Sequence, residues 1–255
     1  MSKPMRVFVF ASQKGGSGKT TLAGHVAVQA ELAGDGPVAM VDTDPQGSLE
    51  KWAEVRREDR PAYVKAETSQ LGNVVARARE QGYRLLVVDT PPAITRSISD
   101  VVSHADLVVV PTRPSPHDLR AVGPTVDIAE WHKKSLVFVV NAASARARIT
   151  ADAAVALSQH GTVAPVTLHH RVDYAASMID GRTVMETKAD GKSAKEVVAL
   201  WNYLADRIKR MDYADEEEGI VPPLPVAAQP SLVSIGSNVN ALGRRAPTFG
   251  RRSGS

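Results

Sequence analysis

A six-residue loop, Gly15-Gly16-Ser17-Gly18-Lys19-Thr20, decides most of what this chain can fold into. It stands between the apolar run 5–11, MRVFVFA, and a proline-free stretch with helical spacing that begins at residue 18. Glycines let successive backbone N–H groups turn inward around an anion, and a helix starting directly behind them adds its positive end. The loop therefore makes Gly15, Gly16, Ser17, Gly18, Lys19, Thr20 and Thr21 candidate phosphate-binding residues. Lys19 would neutralise phosphate charge, and the Thr20 hydroxyl would sit on Mg²⁺. The usual spacing G-x-x-x-x-G-K-[ST] is not kept. Gln13 stands where a glycine is expected, with a second lysine, Lys14, beside it.

The remaining pattern extends this unit into a sheet. Valine-rich runs without strict alternation recur at 37–42, 84–89, 106–111, 135–141 and 162–168, as in strands buried on both faces of a parallel sheet. Helical spacing fills 18–34, 48–58, 69–81, 95–103, 116–133, 150–160 and 172–180. Strand–helix alternation predicts an α/β fold, a doubly wound and mostly parallel sheet flanked by helices. A last amphipathic helix is expected over 192–211, with Ala194, Val197, Trp201, Leu204 and Ile208 on one stripe. Beyond it come an acidic run, prolines and paired arginines without periodicity. The reading is one domain over 1–212 and a disordered tail over 213–255.

In such a sheet the site lies at the carboxyl ends of the strands, and acids collect there. LLVVD ends in Asp89, the placement of an acid that holds a metal through its water shell. VAMVDTD ends in Asp42 and Asp44, two residues apart and so on one side of the strand. One could serve Mg²⁺ and the other orient water. The chain has no cysteine, which removes any thiolate-held cluster or metal. No apolar run approaches the length of a membrane span. The net charge of +3 leaves nucleic-acid binding to local patches.

Four segments together resemble a known family: KGGSGKTT (14–21), DTDPQGS (42–48), VVDTPP (87–92) and VVVPTRPSPHDLRAV (108–122). They look like the ParA/MinD deviant-Walker ATPases, and more narrowly the short branch that contains plasmid-partition and cargo-positioning ATPases. The likeness covers about residues 5–210. It implies a weak, Mg²⁺-dependent ATPase. Lys14 matches the signature lysine that reaches the partner subunit's ATP. Lys19 and Thr20 match the phosphate lysine and the magnesium hydroxyl. Asp44 matches the aspartate that positions the attacking water, Asp42 and Asp89 the metal-shell acids, and Asn141 the asparagine on adenine. Relatives commonly follow that asparagine with arginine or lysine, where this chain has Ala142. Charge gives a parallel reason for the dimer. A second lysine from the same loop would crowd Lys19, but donated in trans it would meet charge developing on the transferred phosphoryl group.

The resemblance also implies a cytoplasmic, nucleoid-associated protein. An ATP-bound homodimer would hold double-stranded DNA without sequence preference, and a ParB-like or McdB-like adaptor would release it. Lys188, Lys192, Lys195 and Arg207 are the candidate DNA contacts. Lys192 and Lys195 fall in the first turn of the last helix, where positive charge opposes the helix dipole and suits an external phosphate. The alternative within the family is a membrane-associated, MinD-like positioning ATPase. The acidic, proline-rich sequence after 211 is a poor membrane anchor. An iron-protein-like cluster carrier, the reading from another class, lacks the cysteines it would need.

Overall fold

The computed structural model describes residues 4–92 and 96–219. Seven parallel strands form one sheet in the order β3-β2-β4-β1-β5-β6-β7. They are β1 (Arg6–Phe10), β2 (Val38–Asp42), β3 (Ala62–Tyr63), β4 (Leu85–Asp89), β5 (Leu107–Thr112), β6 (Ser135–Val140) and β7 (Thr162–Val163). Strands β1, β2, β4 and β5 are buried along their whole length, as their unalternating valine runs predict.

Side chains from alternate residues feed two separate cores. Phe8, Phe10, Met40 and Val87 face one, with helices α1 (Lys19–Leu32), α2 (Ser48–Val55), α8 (Val172–Met178), α9 (Val184–Thr187) and α10 (Lys192–Gly219). Val7, Val9, Val41 and Val88 face the other, with α3 (Leu71–Glu80), α4 (Arg96–Ser103), α6 (Gly123–Trp131) and α7 (Arg148–Ser158). Trp201 of α10 is 1% exposed and meets Phe8 at a ring separation of 6.5 Å. Its indole N–H donates to Asp35 at 3.0 Å. Truncating a tryptophan so placed costs about 3–5 kcal/mol.

The structure departs from the sequence pattern at several places. The helix expected over 116–133 is two, α5 (Pro116–Arg120) and α6. Pro124 has no N–H to continue a helix, so a new one starts at Gly123. The strand expected over 162–168 pairs at Thr162 and Val163; Ala164 N–H still donates to the Phe138 carbonyl at 2.8 Å, and the regular pairing ends before Pro165. Strand β3 is an addition: it pairs beside Ala39 and Met40. Helix α10, expected to stop at 211, continues to Gly219. Residues 220–255, most of the segment expected as a tail, lie outside the described residues.

Candidate functional site

Three central strands finish level with one another. Phe10 pairs with Asp89, and Asp42 pairs with Asp89, so β1, β4 and β2 end on one row. A ladder of threonines ties that row together. Thr43 donates its hydroxyl to the Asp89 carbonyl at 2.7 Å, and Thr90 donates its own to the Phe10 carbonyl at 2.8 Å. Both are buried. The sequence reading overlooked them, although Val-Asp-Thr repeats at 41–43 and 88–90. The threonine after each strand-end acid fixes the direction in which the chain leaves the sheet.

From Phe10 the chain enters the glycine loop and starts α1 at Lys19. Gly18 takes φ 98°, a conformation that side chains other than glycine rarely adopt. A Cβ there would also stand 2.2 Å from Asn141 Nδ2. That amide closes over the loop and donates to the Ser17 carbonyl at 2.7 Å. Asn141 is positioned by the end of β6, where its N–H donates to the Thr112 carbonyl at 2.9 Å. Ser17 is 1% exposed and its hydroxyl has no partner. An unpartnered buried hydroxyl inside a glycine cradle fits an anion that the loop would close around.

The loop lysines differ sharply. Lys19 is 6% exposed. Burial lowers its pKa, and the carboxylates of Asp89 and Asp44 oppose that shift. Lys14 is exposed, and its ammonium has no partner among the described residues.

The acids also differ. Thr20 Oγ1 donates to Asp89 Oδ2 at 2.5 Å, while Asp89 Oδ1 accepts from the Thr90 N–H at 3.0 Å. Burial pushes the Asp89 pKa up to about 7; the Thr20 hydroxyl and Lys19 pull it down, and the Asp42 charge adds to the rise. Asp42 is also shifted upward by burial. Its Oδ1 accepts from Asp44 N–H at 2.9 Å, and its Oδ2 accepts from Leu49 and Glu50 at the start of α2. Asp42 thus holds both the Asp44 turn and the first turn of α2. Asp44 is half-buried and faces the cleft.

That cleft is about 450 Å³. Its floor is the glycine loop from Gly16 to Thr21. Its far wall is Asn141, Ala142, His170, Arg171 and Tyr174. Glu196 of α10 braces this wall. It accepts from Arg171 Nη2 at 2.7 Å, from the His169 backbone N–H at 3.1 Å and from the Tyr174 hydroxyl at 3.1 Å, and it lies 2.8 Å from His169 Nδ1. Burial would raise the Glu196 pKa, but the hydrogen bonds from Arg171 and His169 outweigh it and hold it low. Nothing in the sequence pairs Arg171 with its carboxylate partner, since 25 residues separate them.

Among the described residues no three His, Asp or Glu side chains gather to hold a metal by themselves. Thr20 and Asp89 meet; Asp42 stands beside Asp89 on the neighbouring strand.

The four candidate DNA contacts do not form one patch. Lys188, Lys192 and Lys195 are exposed at the α9–α10 junction and the first turn of α10. Arg207 is half-buried, about 18 Å further along the axis than Lys195. No described helix is long and apolar enough to cross a membrane.

A family model described as the CobQ/CobB/MinD/ParA nucleotide binding domain matches residues 8–244. The maintenance of carboxysome distribution protein A of Halothiobacillus neapolitanus is 28% identical over 197 residues, 74% of this chain and 90% of that protein. Its namesake from Gloeobacter kilaueensis is 42% identical over 123 residues, 48% of this chain and 55% of that one. In three dimensions the chain resembles a McdA–ATP complex from Cyanothece. The TM-score is 0.64 at 17% identity, over 80% of this chain and 97% of that one, a likeness of fold.

Proposed function

The chain belongs to the CobQ/CobB/MinD/ParA nucleotide-binding family, and from that premise we propose a cytoplasmic ATPase that positions or partitions a cargo by cycling between paired and unpaired chains. As a member of this family it is an ATPase. In the proposed cycle two ATP-bound chains meet face to face, the pair holds nucleoid DNA through backbone phosphates, and an adaptor of the ParB or McdB kind provokes hydrolysis and release. Relatives named for carboxysome distribution and for chromosome partitioning support the positioning role.

The residues divide the work by burial. Lys19, enclosed behind the loop, offsets charge on the chain's own β- and γ-phosphates. Ser17 and the loop N–H groups close around the same anion. Thr20 and Asp89, with Asp42 beside them, would hold a magnesium ion and its water, and such an ion would offset phosphate charge. Asp44, half-buried at the cleft, orients the attacking water without acting as a strong base, so intrinsic turnover is slow. Asn141 closes the adenine end. Lys188, Lys192 and Lys195 give the pair a cationic edge for DNA.

The observation that carries the dimer is the opposite placement of the loop lysines, Lys19 buried and Lys14 exposed without a partner. A cation so placed is available to phosphates on a second chain. The test is light scattering with ATP. Lys14→Ala should bind ATP yet form no ATP-dependent dimer, whereas Lys19→Ala should fail to bind ATP. Dimers that persist in Lys14→Ala would overturn the trans role.

A further inference from the structure

Arg113 stands above the glycine loop because neighbouring strands end at different heights. Phe10, the last residue of β1, pairs with Val109 of β5. Strand β5 continues to Thr112, about 10 Å past that row at 3.3 Å per residue. The residue that follows therefore overhangs the loop into which β1 turns. The Arg113 guanidinium lies 3.3 Å from the place a Cβ on Gly16 would occupy. Gly16 itself has φ 72°. The backbone angle is what favours glycine at position 16.

The backbone carrying this arginine is fixed. The Thr112 carbonyl accepts from Asn141 N–H at 2.9 Å, and the Arg113 carbonyl accepts from Ser115 N–H at 2.8 Å. Pro111, Pro114 and Pro116 remove φ freedom on either side. The side chain has the opposite character: it is exposed and makes no hydrogen bond or ion pair among the described residues. The other cations on the cleft wall each have a carboxylate. Lys19 faces Asp89 and Asp44, and Arg171 is tied to Glu196 at 2.7 Å. Among the described residues, Arg113 is the cleft-lining cation without one.

We propose that Arg113 is a phosphate-contacting residue of the chain's own nucleotide site, an arginine supplied in cis from the β5–α5 loop. The inference rests on the nucleotide reading of the cleft and adds a residue to it. Guanidinium is always charged and presents a planar fork of donors that matches phosphate oxygens. A nucleoside triphosphate with one divalent ion still carries negative charge beyond what Lys19 offsets, and such charge is where an arginine contributes to phosphoryl transfer. Lys14, on the outer edge of the same loop, is then left for the neighbouring chain.

The test is titration of fluorescent Mg-ATP into the full chain at concentrations below dimer formation, with parallel light scattering and DNA retention. Arg113→Ala should weaken ATP binding roughly 10-fold or more, the range for a hydrogen bond to a charged group. Arg113→Lys should recover part of it, since the charge remains and the fork does not. The salt dependence of binding should become shallower in Arg113→Ala. Unchanged ATP affinity in Arg113→Ala overturns the proposal. So does unchanged affinity with loss of ATP-dependent dimers or of DNA retention, because the arginine would then serve another chain's phosphates or the duplex. Lys19→Ala is the reference: if it too leaves ATP binding intact, the nucleotide reading of the cleft falls, and not merely the part assigned to Arg113.

Discussion

Thr20 at the start of α1 and Asp89 at the end of β4 are joined hydroxyl to carboxylate at 2.5 Å, so the first helical turn is fastened to the neighbouring strand at the point where a metal would enter. The fastening uses a carboxylate that is fully buried and costly to ionise there, with its pKa raised to about 7. Stability and function pull in opposite directions at this residue.

Asp89→Asn separates the two. The amide keeps an oxygen for the Thr90 N–H and removes a buried charge. The chain should melt at or above the temperature of the parent protein, while Mg²⁺-dependent ATP hydrolysis should fall by two orders of magnitude or more, as when one charge-stabilising group is lost. Differential scanning calorimetry and phosphate release measure the two outcomes. Retained turnover would remove Asp89 from the metal shell.

His25 gives α1 a pH dependence. Its ring is fully buried with Nδ1 2.7 Å from the Thr21 carbonyl and Nε2 3.3 Å from the Val184 N–H. A carbonyl on one side and an N–H on the other fix the neutral tautomer with the proton on Nδ1. Burial lowers its pKa from 6.5 to about 4. Between those values the unfolded chain takes up a proton that the folded chain refuses. Stability from this group is therefore complete above pH 6.5 and is lost as pH falls toward 4, by on the order of 3 kcal/mol. Asp89 acts in reverse: its pKa is raised, so its contribution is complete at acid pH and is lost as pH rises toward 7. Urea unfolding of the parent and His25→Gln isolates the histidine. The difference in stability between them should shrink from pH 7 to pH 4.5. A difference that does not change with pH would contradict this.

Gly18→Ala combines two penalties. The residue would sit at φ 98° with its Cβ 2.2 Å from Asn141 Nδ2. Strain of the first kind costs about 1–3 kcal/mol, and the contact adds to it. Adding Asn141→Ala should return the part due to the contact and leave the backbone part, a non-additive pair by chemical denaturation. Additive losses would mean that Asn141 does not press on Gly18.

On DNA, the lysines and Arg207 should separate. Lys192→Glu with Lys195→Glu should abolish ATP-dependent retention of random duplex, each lost phosphate contact also lowering the salt slope by about one. Arg207→Glu, half-buried and about 18 Å along the helix, should change retention little. Equal losses in the two variants would place Arg207 on the same surface.

Strands β1, β2, β4, β5 and β6 were legible because each is a short valine-rich run that needs no partner to be recognised. Strand β3 was not, since Ala62 and Tyr63 are extended only through their pairing with β2. The glycine loop was legible because its residues are contiguous. The Glu196 brace was not, since its partners come from another helix and a loop and nothing in their spacing marks them. Asp42 was readable as an acid at a strand end, but not as the group that also holds the start of α2, because hydrogen bonds to backbone N–H leave no trace in sequence. Arg113 stood inside a quoted motif, yet its overhang depends on β5 outrunning β1, a property of register. The split at Gly123-Pro124 could have been read, since proline there breaks a helical ladder.

Helix α10 begins beside the cleft, where Glu196 braces the far wall. Further along it, Asp212 accepts from Arg6 Nη2 at 2.7 Å, at the opposite end of the strands from the glycine loop. Its 28 residues extend about 42 Å. It works as a spacer: anything joined after residue 219 leaves the domain far from the face on which two chains would meet. A fluorescent protein or affinity handle placed there would report on the proposed cycle without standing between the subunits, whereas the same fusion ahead of β1 would begin where Arg6 and Asp212 tie the start of the central strand to α10.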